Sequence, residues 1–255
     1  MTEAFDRWVS IGNNCMAKYQ INRYISRKFF GLDENSALKA HQMTQGPFRN
    51  RLRDINGGNL LFDWVYIEDY NKVCNLLESG LNYNLPEESM ERFAPDEDGP
   101  RAVRCNASGI HWVHLFSDRN SLADWTEQLP DLRPKIDHMR KEFLKLRDYS
   151  TLYVLASNHE GFENTEFPEK IHHALATLRH GSDRKFKLLI CTPGATPRNQ
   201  GDIIVRPFLP GGGAPWFGDA ESWDRAFSDF ALSMESRLNS TLDQAIANEP
   251  SNNVS

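Results

Sequence analysis

Residues 151–156, Thr-Leu-Tyr-Val-Leu-Ala, carry no charge at any position. A strand points alternate side chains to opposite faces, so this run reads as a strand buried on both. Another buried strand follows at residues 185–191 and a further strand at 203–208. Between the first two lies a helical stripe, Ile171, Ala174, Leu175 and Leu178, within about residues 168–179. Upstream, Leu132, Ile136, Met139, Phe143 and Leu146 recur at helical steps through residues 130–146. Crossovers that contain helices are long enough for parallel connections. The pattern predicts an α/β fold: a single three-layer domain with a mainly parallel sheet over residues 1–247, then a disordered polar tail at 248–255.

With 255 residues the chain can build one full α/β domain. Its net charge of -6 provides no basic footprint, so neither nucleic acid nor an anionic membrane is expected as a partner. No run of about eighteen apolar residues is present to span a bilayer. The first six residues lack the apolar core of a signal peptide. Cys15, Cys74, Cys105 and Cys191 are scattered without paired spacing, which argues against a disulfide framework and for a reducing cytoplasm. A protein secreted without a cleaved signal would have the same composition.

The first strand, Trp8 to Ile11, ends at Gly12-Asn13-Asn14-Cys15, and a helix is expected from about Asn14 to Ser26. Asn13 or Asn14 suits the N-cap. Cys15 then stands where unpaired backbone N–H groups and the positive end of the helix dipole favour a thiolate. Cys15 is the candidate nucleophile. Residues 28–59 read as a solvated excursion with a basic cluster at Arg49, Arg51 and Arg53. In the apolar run Leu60–Val65, Asp63 is exposed, buried with a partner, or a cap for the helix from Glu68 to Leu77. Residues 109–116 alternate as a strand with Ile110, Trp112, His114 and Phe116 on one face. Asn158 follows the 151–156 strand, where polar groups often line a site. Residues 210–218 form a Gly- and Pro-rich loop. Trp223, Phe227, Phe230, Met234 and Leu238 predict a long amphipathic helix reaching the 240s.

A cysteine nucleophile needs a base and a group to orient that base. Cys15, His114 and either Asp63 or Asn158 supply the set, and Asn14 with nearby backbone N–H groups supplies an oxyanion hole. His111 and His114 point to opposite faces of a strand, and His172 and His173 diverge on a helix. Neither pair has zinc spacing, so no metal and no cofactor are expected.

The stretch Val9-Ser10-Ile11-Gly12-Asn13-Asn14-Cys15, followed by Ala17-Lys18-Tyr19-Gln20, resembles the opening motif of a bacterial family of domains of unknown function (DUF1796) described as papain-like cysteine peptidases. Phe62-Asp63-Trp64 and His114-Leu115-Phe116 match its later blocks in order. Leu115 departs from a position that is often acidic in the family. The resemblance implies a papain-like α+β fold, a peptide substrate, Cys15 as nucleophile, His114 as base and Asp63 as third residue. Gly12-x-x-Cys15 after the first strand is also similar to the first block of SGNH-type hydrolases, with cysteine in place of serine. Asn158 then matches the asparagine of their oxyanion hole. That likeness implies an esterase or acyltransferase acting on carbohydrate or other ester substrates. A third expectation is a non-catalytic α/β module that binds a ligand at the strand ends.

Overall fold

The computed structural model describes residues 2–12, 15–39, 47–58, 60–67, 69–82, 87–93, 102–112, 115–116, 125–209 and 218–233. Its centre is a five-stranded sheet in the order β2 (Arg7–Ser10), β7 (Thr151–Ala156), β8 (Phe186–Pro193), β10 (Ile203–Phe208), β9 (Arg198–Gln200). The first four strands are parallel, and β9 closes the edge in antiparallel pairing with β10. The uncharged run at 151–156 forms β7 over its whole length, and all six residues are buried.

Alternation sorts the sheet's side chains into two cores. Val9, Tyr153, Leu155, Leu188, Ile190 and Val205 face α5 (Trp125–Leu144) and α6 (Phe167–Leu178). Trp8, Leu152, Val154, Leu189, Ile204 and Phe208 face α1 (Met16–Phe30), α3 (Pro47–Asn56) and α7 (Ala220–Phe227). Helices therefore bury both faces of the parallel sheet. Trp8 anchors the second core, stacked on Tyr24 at 5.7 Å between ring centres, with Phe227 at 5.4 Å.

A second, antiparallel sheet runs β3 (Val65–Ile67), β6 (Ile110–Trp112), β5 (Ala102–Cys105), β4 (Met90–Phe93). Strands β3, β4 and β5, of three or four residues each, give an alternation too short to read in the sequence. Ile67, Val103, Cys105, Ile110 and Trp112 add their bulk to the first core, beside α4 (Tyr70–Glu78). The predicted strand at 109–116 is described only as β6, and Val113 and His114 lie outside the described residues. The apolar run at 60–65 is chiefly a 3-10 turn, Leu61–Trp64, with the strand starting at Val65.

Two further expectations are corrected. The excursion at 28–59 carries α2 (Glu34–Lys39) and α3. Pro47 suits a helix start, with φ already fixed, and Gly57 and Gly58 at φ 75° and 76° end it. The long C-terminal helix stops at Phe227. After Ser228-Asp229 the chain turns into β11 (Phe230–Leu232), which pairs in parallel with β1 (Glu3–Phe5). The same aromatic spacing served a short helix and then a strand. The loop at 210–217 and the chain from Met234 onward lie outside the described residues.

Candidate active site

The carboxyl end of β2 is bound to β7 by Ile11 N–H, which donates to the Val154 carbonyl at 2.9 Å. Gly12 continues at φ 147°, and a Cβ there would sit 2.5 Å from Leu155 Cδ1. Only glycine lets the chain turn this close to β7. Cys15 then takes φ -79° and ψ 0° as the N-cap residue of α1. Its carbonyl accepts the first helical hydrogen bond from Tyr19 N–H at 3.0 Å. The thiol thus stands over the N-terminal turn of a fifteen-residue helix, where the dipole favours an anion. Of the four cysteines, Cys15 is half-buried and the other three are buried. Burial pushes the Cys74 thiol up to about 11 and the Cys191 thiol higher still. That leaves Cys15 as the accessible thiol.

Next to β2, β7 is followed by Ser157-Asn158-His159. Ser157 N–H donates to the Cys191 carbonyl at 2.9 Å, and Ser157 Oγ accepts from His159 N–H at 3.2 Å. Thr192 Oγ1 donates to the His159 carbonyl at 2.7 Å. The turn is pinned on both sides of an exposed Asn158. From β2 the chain passes to α1 on one face of the sheet, and from β7 to α6 on the other. Where neighbouring parallel strands send their helices to opposite faces, a crevice opens beyond their carboxyl ends, and ligands of α/β sheets bind there. Cys15 and Asn158 follow the two strands that flank this crevice.

Asp63 sits on the Leu61–Trp64 turn with its side chain 3% exposed. Its Oδ2 accepts from Lys18 Nζ at 2.8 Å and from Leu60 N–H at 2.9 Å. Lys18, one helical turn beyond Cys15, also donates to the carbonyls of Gly58 at 2.6 Å and Asn56 at 3.3 Å. Asp63 is therefore buried with a partner. It does not cap the following helix, because Asp69 does, accepting from Asn71 N–H at 2.9 Å. Burial pushes the Asp63 carboxyl above its ordinary value, against the Lys18 charge and the hydrogen bonds from Lys18 and Leu60. Asp63 Oδ1 is buried with no hydrogen-bond partner among the described residues.

Asn13, Asn14 and His114 lie outside the described residues. Trp112, two residues before His114, is the register partner of Val65, two residues after Asp63. His111, on the opposite face of β6 from Trp112, is buried against the rings of Phe93 at 4.8 Å and Tyr66 at 5.5 Å. Among the described residues no group of three His, Cys, Asp or Glu side chains is arranged to hold a metal, and no helix is long and apolar enough to cross a membrane. Sequence reasoning missed Lys18. Its available signal was a lysine one turn from Cys15 and an acid embedded in an apolar run.

No family model, no curated protein and no solved structure matches the chain.

Proposed function

We propose that the crevice between the carboxyl ends of β2 and β7 is the active site of a cysteine-dependent hydrolase or acyl-transfer enzyme. The observation that carries this reading is the convergence of strand, glycine turn and helix N-terminus on the accessible thiol, at the place where the sheet's connections diverge. Cys15 is the nucleophile, His114 its base and Asp63 the residue that orients the base. The buried, unbonded Oδ1 of Asp63 supports that third role over Asn158, because a carboxylate oxygen without a donor gains most from an imidazole N–H. The Val65–Trp112 register supports it too, since Asp63 and His114 are each two residues in sequence from that paired position. Asn13, Asn14 and Asn158 are assigned to substrate binding and the oxyanion hole.

In this scheme His114 holds the Cys15 proton, and the thiolate attacks the acyl carbon to form a tetrahedral oxyanion. Backbone N–H groups of the turn and an asparagine amide donate to that oxyanion. Collapse breaks the bond to the leaving group, which takes the proton from the imidazolium, and leaves a thioester on Cys15. Water, giving its proton to His114, then releases the acid, or a second nucleophile takes the acyl group.

Helices on both faces of a mainly parallel sheet favour a single three-layer α/β architecture over a papain-like α+β one. The same layering favours ester or carbohydrate acyl groups as the second reading of the substrate, beside the peptide bond implied by the papain-like family. A cytoplasmic location follows the cysteine usage.

The test is the pH dependence of Cys15 alkylation in the folded protein, alongside His114→Ala. We expect a thiolate well below the ordinary value of about 8.5 that moves upward in the variant. An inert Cys15 would overturn the assignment and put a non-catalytic ligand-binding module in its place. Indifference to His114 would remove the base.

A further inference from the structure

A cavity of about 550 Å³ opens between the carboxyl half of β10, the edge strand β9 and α7. It is three strand positions from β2, roughly 14 Å at ordinary strand spacing, and so separate from the crevice at Cys15. Ile204, Arg206 and Phe208 alternate onto the α7 face of β10, and Asn199 is the register partner of Ile204. Arg198 also lines the cavity, but it is the register partner of Val205 and its Nη2 is engaged on the other face, donating to the Glu163 carbonyl. The guanidinium groups available to the cavity are those of Arg206 and Arg225. Phe208, Leu209 and Pro197 supply an apolar wall. No carboxylate lines the cavity among the described residues.

Arg206 is held in place, with its side chain only 16% exposed. Its Nη2 donates to Asp229 at 2.6 Å and its Nη1 to Asn199 Oδ1 at 2.8 Å. Arg225 donates to Glu221 at 2.8 Å. Both acids lie outside the cavity lining. The exposed Arg225–Glu221 pair is weakly held and screened by salt. Arg206 Nη1 also donates to the Val205 carbonyl at 2.9 Å and the Arg198 carbonyl at 3.3 Å. An anion arriving from the cavity side meets the fixed positive charge of Arg206 and the guanidinium of Arg225, whose exposed partner Glu221 is cheap to displace. Leu209, 56% exposed, places apolar surface beside them.

We propose that this cavity binds a small organic anion, with a phosphate or carboxylate head on Arg206 and Arg225 and an aromatic or aliphatic body on Phe208 and Leu209. Its volume suits such a ligand, and a fixed guanidinium fork suits either head. The proposal is independent of the thiol chemistry.

Calorimetric titration of the full chain with phenyl phosphate, benzoate and uncharged benzamide tests it. Saturable binding of at least one of the two anions is expected, with benzamide inert. Tighter phenyl phosphate assigns a phosphate head, and tighter benzoate a carboxylate. Arg225→Gln, an exposed position that the fold tolerates, should weaken binding by about fivefold, and Arg206→Lys, which keeps the charge but loses the fork, by about tenfold. Three outcomes would overturn the site: no saturation by either anion up to about 10 mM, inorganic phosphate binding as tightly as phenyl phosphate, or affinity unchanged in both variants.

Discussion

Asp63 shows how a single buried carboxyl acquires a sign. Its folded-state pKa is raised, so the folded protein holds that proton more tightly than the unfolded chain does. The stability it contributes is therefore full below its unfolded value and is lost as pH rises through the folded one. Asp63→Asn does not titrate. Measured by denaturant unfolding, wild type should lose ground relative to Asp63→Asn as pH climbs above about 4, the ordinary aspartate value, toward the raised folded one. A gap that widens in favour of wild type would show the Lys18 pair outweighing burial. Gly12 makes a different kind of demand. Gly12→Ala would meet Leu155 at 2.5 Å from a backbone conformation that side chains rarely adopt. We expect a loss of roughly 1–3 kcal/mol, together with slower Cys15 alkylation as the turn is pushed off β7. Unchanged alkylation in a destabilised Gly12→Ala would separate the turn from the thiol.

Among the elements, β7 is pinned at its amino end by one side chain. Buried Arg179, just past α6, donates to the carbonyls of Leu146 at 2.7 Å, Tyr149 at 2.8 Å and Arg184 at 3.1 Å, and to the Tyr153 hydroxyl at 3.2 Å. Lysine has the charge without the planar fork and cannot reach all four. Arg179→Lys should cost about 3 kcal/mol or more, seen as a lower unfolding midpoint with an unchanged denaturant slope. A cost under about 1 kcal/mol would mean that water replaces the lost bonds. Such connections also mark where legibility ended. β7 could be read residue for residue because polar Ser150 and Ser157 bracket an uncharged run. α3 was hidden because Leu52 and Ile55 are its identifiable buried apolar residues among arginines. The Trp223, Phe227, Phe230 spacing fits one helix as well as a helix and a strand. Cys15 was legible as a local strand–glycine–helix pattern. The Lys18–Asp63 pair joins residues 45 apart, and no local periodicity encodes it.

At the scale of the molecule, the described ends of the chain meet. Phe5, Trp8 and Phe230 pack together, with Phe230 at 6.1 Å from Phe5 and 6.2 Å from Trp8, and Ser233 N–H donates to the Phe5 carbonyl at 3.0 Å. Truncation after Ser228 removes two buried large side chains, Phe230 and Leu232. At about 1.5–3 kcal/mol for each, that should lower the melting temperature by roughly 10 °C. An unchanged melt would mean that β1 holds its place without a strand beside it. Because β1 precedes its partner β11 by more than 220 residues, their pairing closes a long loop. Until β11 is made, the backbone groups of β1 lack their strand partner, and an open strand edge invites pairing with other chains. Production of this chain should therefore depend on what shields β1 until β11 arrives. Fusing a soluble domain ahead of residue 1 should raise the yield of folded protein more than the same domain placed after residue 255.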